Sequence, residues 1–134
     1  MNAHTPAEKF GCERCWPAEA DVAQQARFTL ARQADLINES HFHVMTLACP
    51  DCGQRFVSVF TETIDWDDGE DPQYWTRLPI TEAEALDLDR EGGAVTEATL
   101  ETLGRGRKCL QHDHPKGADA RSSWGMGIFV GPHD

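Results

Sequence analysis

Much of what this 134-residue sequence can be is narrowed by what it lacks. No run approaches the roughly 20 apolar residues of a membrane-spanning helix, and the opening MNAHTPAEKF has no apolar core of a secretory leader. A cytoplasmic protein with no membrane partner is the resulting expectation. Basic residues are scarce: 12 Lys and Arg stand against 23 Asp and Glu, a formal net charge of −11. That is the wrong sign for a surface that tracks phosphates, so nucleic acid is disfavoured as a partner. No G-x-S-x-G, P-loop, dinucleotide fingerprint or H-E-x-x-H occurs, and with them go the commonest short signatures of catalysis. No repeat, low-complexity tract or linker divides the chain, and a single domain over 1–134 is expected.

What is present is ordinary globular material, 40% apolar and 26% charged, long enough to bury a core without disulfides. Five cysteines are an odd number, and four of them, Cys12, Cys15, Cys49 and Cys52, form C-x2-C-x33-C-x2-C. In a reducing compartment such pairs point to metal before disulfide. Two cysteines separated by two residues can turn both sulfurs toward one ion about a tight turn, and zinc takes four soft ligands in a tetrahedron. CPDCG lies between two strand-like runs, with Pro50 stiffening the turn and Gly53 free to adopt a positive φ. A thioredoxin-type redox pair is the competing reading, but no strand precedes CERC and a second pair is at hand.

CPDCG with its flanking runs resembles the cysteine knuckle of zinc-ribbon proteins, and CERCW looks like the partner knuckle. The resemblance covers the four cysteines and the hairpin. It implies one structural Zn²⁺ with no open coordination position, holding the fold rather than activating water. Trp16 stands where a glycine is common, and the gap of 33 exceeds the usual 15–20, which leaves a ribbon with a helical insertion and a treble-clef-like variant both open.

The expected fold class is α+β, an antiparallel sheet built on this hairpin with one longer N-terminal helix and two short ones. Residues 18–37 read as the long helix: Pro17 suits its first turn, Asn38 its stop, and Val22, Ala26, Leu30, Ala34 and Ile37 fall on one stripe. In the hairpin, Phe42, Val44, Thr46 and Ala48 alternate with His43, Met45 and Leu47, while Phe56 and Phe60 share a face. Both faces are partly apolar, so both should be covered. YWTRLPI reads as a strand that Pro79 confines to an edge or an end. TEAEALDLDREGG opens with a capping box, Thr81 with Glu84, and TEATLETLG is a second short helix. In WGMGIFVG, Trp124, Met126, Ile128 and Val130 alternate with glycine-rich positions as a returning strand. The chain thus divides into a zinc module (12–64), an acidic helical segment (65–103) and a glycine-rich C-terminal segment (104–134).

The charge is regional. Between Glu62 and Glu101 there are 13 Asp and Glu against two Arg, while the rest of the chain holds ten of each sign. The densest part, IDWDDGEDPQYW, sets Trp66, Tyr74 and Trp75 among Asp67, Asp68, Glu70 and Asp71. Tryptophan and tyrosine are the residue types of binding hot spots, and charge of one sign steers association. The expectation is therefore a non-enzymatic binding protein whose acidic face docks a basic protein partner, in the manner of a toxin-neutralising bacterial immunity protein. A nucleic-acid-associated zinc-ribbon regulator, resting on GRGRK at 104–108, is the alternative. An enzyme using Cys109 with His112 or His114 is the third reading, set against a buried Cys109 beside histidines on a basic, solvated turn. His41 and His43, two apart on one strand, share a face on which a second metal is conceivable, but half-buried strand histidines more often pack, and DWDDGEDP lacks the spacing of a calcium loop.

Overall fold

The structure, a computed structural model, describes residues 10–134. These hold six strands, β1 (Ala31–Glu39), β2 (Phe42–Ala48), β3 (Arg55–Glu62), β4 (Gln73–Ile80), β5 (Lys108–His114) and β6 (Arg121–Met126). They form one antiparallel sheet whose spatial order is the order of the chain. Three α-helices, α1 (Ala20–Gln25), α2 (Glu82–Glu91) and α3 (Glu97–Gly104), make the fold α+β. No helix among the described residues is long and apolar enough to cross a membrane.

The hairpin β2–β3 pairs Phe42 with Thr61 and runs in register to Ala48 with Arg55. Its period of two sends Phe42, Val44, Val57 and Val59 to one face, where Leu78 and Ile80 of β4 join them against Ala85, Leu88 and Leu100 of α2 and α3. The other phase sends Leu47 and Phe56 to the opposite face, against Cys15, Cys49 and Trp16 of the cysteine segment. We call these the helical face and the knuckle face. Strands with one polar side need only one cover; these have two, so their apolar residues occupy both phases.

Both short helices start as the sequence predicts. Thr81 Oγ1 accepts the Glu84 amide at 3.1 Å while Glu84 Oε1 accepts the Thr81 amide at 2.8 Å, a reciprocal capping box at α2. Thr96 and Thr99 make the corresponding exchange at α3. Pro79 falls near the end of an interior strand. The β4–β5 pairing stops at Arg77 with Leu110, so Pro79 lies beyond the last pair on that side.

Two expectations are corrected. The N-terminal helix is not the longest: α1 has six residues against ten in α2, and a 3-10 turn (Ala26–Thr29) leads from it into β1. Backbone pairing with β2 outweighs the helical propensity of residues 31–37, as tertiary context commonly does. The C-terminal strand ends at Met126. Gly127, at φ 79°, turns the chain off the sheet edge and across the helical face. There Ile128 enters the core and the Phe129 carbonyl accepts the Thr76 hydroxyl at 3.0 Å. A Cβ on Gly131 would stand 2.6 Å from Thr61 Oγ1, so only glycine lets the tail lie this close to the sheet.

Candidate metal centre

Each pair of cysteines sits on a turn that its own backbone closes. The Trp16 amide donates to the Cys12 carbonyl at 2.8 Å, and the Gly53 amide to the Cys49 carbonyl at 2.9 Å. Gly53 takes φ 79°, the left-handed conformation its lack of a side chain permits. The first turn places its glycine before the cysteines rather than after them: Gly11 has φ 74°, and a Cβ there would stand 2.6 Å from Trp16 Cβ. Trp16 therefore occupies space that a knuckle glycine elsewhere would leave open. Gln54 joins the two turns, accepting the Gly11 amide at 2.9 Å and donating to the Ile80 carbonyl at 2.9 Å.

The turns converge so that one sulfur from each of Cys12, Cys15, Cys49 and Cys52 lies within 4.8 Å of the others. Sγ–Sγ separations are 3.7 Å for Cys12–Cys15, 3.9 Å for Cys12–Cys49 and 3.7 Å for Cys15–Cys52. Four sulfurs about 2.3 Å from a central ion at tetrahedral angles stand about 3.8 Å apart, so the residues fit one tetrahedral metal ion. This is the one such ligand group among the described residues. Cys15 and Cys49 are buried, Cys12 is half-buried and Cys52 is exposed, so an ion held here would sit at the rim of the knuckle face. Hydrogen bonding from the Cys15 amide lowers the Cys12 thiol to about 7, whereas burial raises Cys15 and Cys52. A metal ion at this centre would have to displace the protons that burial holds on Cys15 and Cys52, so its uptake should weaken as pH falls.

The remaining sequence candidates are dispersed. Cys109 is fully buried on the helical face, its thiol donating to the Gly127 carbonyl at 2.6 Å and pushed up by burial. His112 and His114 alternate to the knuckle face, so the sheet separates them from the thiol and no Cys–His pair forms. Moreover, 108–114 is strand β5, not a basic turn. His41 Nδ1 meets Glu62 Oε1 at 3.0 Å, while His43 packs edge-on against Phe60. Neither histidine joins a metal-ligand group among the described residues.

The acidic stretch is an ordered loop at the end of the sheet opposite the knuckles, since β3 runs eight residues from one to the other. Asp65 organises it: Oδ1 accepts the Asp67 and Asp68 amides, Oδ2 accepts the Glu70 amide, and Asp71 accepts the amide of Asp65 itself. Lys116 bridges Asp65 and Asp68 at 3.0 and 2.9 Å from the β5–β6 turn, and Gly117 donates to Glu70. Lys116 holds Asp65 below its ordinary range, and Asp68 with Asp65 raises Lys116 in return. Trp66 projects from this loop 88% exposed. Tyr74 and Trp75 do not accompany it. Both lie on β4, Tyr74 toward Phe129 on the helical face and Trp75 toward Phe60 and His112 on the knuckle face.

Sequence reasoning missed a groove on the knuckle face. His43, Phe60, Trp75 and His112, direct partners across β2 to β5, form a row with ring centroids 5.7, 5.0 and 5.4 Å apart. Arg27, Leu30 and Met45 close a space of about 480 Å³ beside it. The signal was the spacing itself, for each member sits in the phase opposite the main core. Comparison with protein-family models, with curated proteins and with solved structures finds no match.

Proposed function

We propose that this chain is a non-enzymatic binding protein, held together by one structural zinc and docking a basic protein partner through its acidic loop. The observation that carries the reading is Trp66, 88% exposed on a loop that Asp65 and Lys116 hold in shape. An exposed tryptophan is costly to keep in water, and a preorganised loop loses little entropy when a partner covers it. Asp67, Asp68 and Glu70 are exposed around it and supply charge for steering. Asp71, half-buried, spends its carboxylate inside the loop, and Tyr74 and Trp75 lie outside the face. A toxin-neutralising immunity role is the form of this reading in which the partner is a basic toxin. A tetrahedral set of four thiolates leaves no open position for substrate, so the centre is read as structural, and zinc is the redox-inert ion that suits such a set.

The docking claim is tested by capturing partners from the source cells and measuring the purified pair. Trp66→Ala should weaken the complex by about 2 kcal/mol or more, the scale of a hot spot, and Trp75→Ala should leave it intact. Equal affinity for wild type and Trp66→Ala removes the docking loop. Metal analysis should find one zinc per chain, lost in Cys49→Ser; a zinc-free, fully folded protein rejects the metal reading.

A further inference from the structure

Among the described residues Arg77 is the charged residue buried as a whole, 5% exposed at the middle of β4. A buried guanidinium ordinarily meets a carboxylate, because an isolated charge pays its full desolvation with nothing returned. Arg77 makes no ion pair among the described residues. Its Nη2 donates to the Ala23 carbonyl, its Nε has no hydrogen-bond partner, and its guanidinium stands 5.5 Å from the centroid of Phe56. Phe56 in turn packs directly on Cys15 and Cys49. Burial, joined by the like charge of Arg27, lowers Arg77 to about 10, and a thiolate at Cys15 would work in the opposite direction.

Four thiolates around a divalent ion leave a centre with two surplus negative charges, and that surplus is what Arg77 lacks. We propose that Arg77 is the charge-compensating residue of the four-cysteine centre. The inference rests on the reading of the cysteines as a metal site. Arg77 does not ligate; it acts through the field it places behind Cys15 and through Ala23, whose carbonyl it holds. A neutral site at this spot would be better served by an apolar side chain on Phe56, and a structural ion pair would bring a carboxylate. The arrangement has neither, and the missing partner arrives with the metal. The N-terminal segment is included in the same coupling, because Cys12, Cys15 and Ala23 all belong to it.

The test uses the full chain, reduced, in metal-free and zinc-loaded forms. Zinc affinity is read by competition with a chromophoric chelator, and melting temperature is read for both forms of wild type, Arg77→Met and Arg77→Lys. The expected result is that Arg77→Met binds zinc about 10–100-fold more weakly, the range for residues that act on a metal through its ligands. Its metal-free form should melt no lower than wild type, since an uncompensated buried charge has gone. Arg77→Lys, which keeps the charge and loses the planar fork, should recover most of the affinity. Wild-type affinity in Arg77→Met overturns the assignment, and so does an equal loss in the Met and Lys variants, which would make shape rather than charge the cause. Should Arg77→Met fail to fold, Arg77→Gln, neutral but still able to donate to Ala23, is read by the same criteria. A wild type that takes up no zinc rejects the metal reading itself, a result distinguishable from unchanged affinity in the variant.

Discussion

Glu84 shows how much of this fold passes through single side chains. Its carboxylate closes the capping box of α2 and also receives Arg107 through two nitrogens, at 2.7 and 3.1 Å. The helix is thereby fastened to the segment that leads into β5. Burial pushes the Glu84 carboxyl up, but the Arg107 and Thr81 hydrogen bonds outweigh it and hold the group below its ordinary value. A folded-state pKa below the unfolded one gives stability that is full above the unfolded value and lost as pH falls through the folded one. Glu84→Gln keeps the shape and loses the charge. It should lower stability by about 1–2 kcal/mol at neutral pH, the scale of a cap joined to a two-pronged, partly buried ion pair. The deficit relative to wild type should shrink as pH drops below roughly 4. Thermal melts at pH 7 and pH 3 measure it, and a gap that stays constant would show that Arg107 contributes nothing electrostatic. Residues of this kind were half legible: the capping box is written in Thr81-x-x-Glu84, whereas Arg107 is 23 positions away and no local pattern pairs them. The two tryptophans were not separable at all. Trp66 lies in a loop shaped by Asp65 and Trp75 in a strand, and both carry the same acidic flank in the sequence.

At the level of elements the N-terminal segment is the least self-sufficient part of the molecule. A six-residue α1 and a 3-10 turn have too few internal hydrogen bonds to stand alone in water. What holds them on the knuckle face is the four-cysteine centre, the Arg77–Ala23 hydrogen bond and Trp124, whose Nε1 donates to the Ala18 carbonyl at 2.9 Å. With the proposed zinc in this centre, its removal should release this segment before the sheet unfolds. Limited trypsin digestion should cut at exposed Arg14 and Arg27 in chelator-treated, reduced protein and spare them in the zinc-loaded form, with mass spectrometry locating the sites. Cleavage at the same rate in both forms would mean that packing alone secures the segment. The same weakness explains why residues 18–37 carry the pattern of one long helix. Ala, Gln, Arg and Leu are good helix formers on a helical stripe, and β1 carries two register shifts against β2 that break the alternation a strand would display. An edge strand is recognised by its neighbour's backbone, and the neighbour is not in the local pattern. The β2–β3 hairpin, α2 and α3 were legible because alternation, caps and turn glycines all agree within each of them.

For the whole molecule the decisive quantity is the distribution of charge. Acidic residues of α2 and α3 cover the helical side, with Glu82, Asp87, Asp89, Glu91, Glu97 and Glu101 all exposed, and Asp67, Asp68 and Glu70 add to them at the end of the sheet. Against this stand a few ion pairs that are mostly exposed, such as Arg90–Asp87 and Arg14–Asp51, each worth at most about 1 kcal/mol. At about 10 mM salt the screening length is roughly 30 Å, so each carboxylate in the region repels all the others. Near 150 mM it is roughly 8 Å, and only near neighbours still interact. Repulsion outnumbers attraction here, and added sodium chloride should raise the melting temperature, by several degrees for each kcal/mol of repulsion relieved. A melting temperature that falls with salt would mean that the ion pairs outweigh the net charge. On the proposed docking reading, binding of a basic partner at the Trp66 loop should run the other way, because screening removes the attraction that steers it while leaving the contact of the indole. Stability and affinity should therefore have salt dependences of opposite sign in wild type. Lysine substitutions at Asp87, Asp89 and Glu91, away from the loop, should flatten the first while leaving most of the second, which is how the self-repulsion of the fold can be separated from the charge that its loop presents.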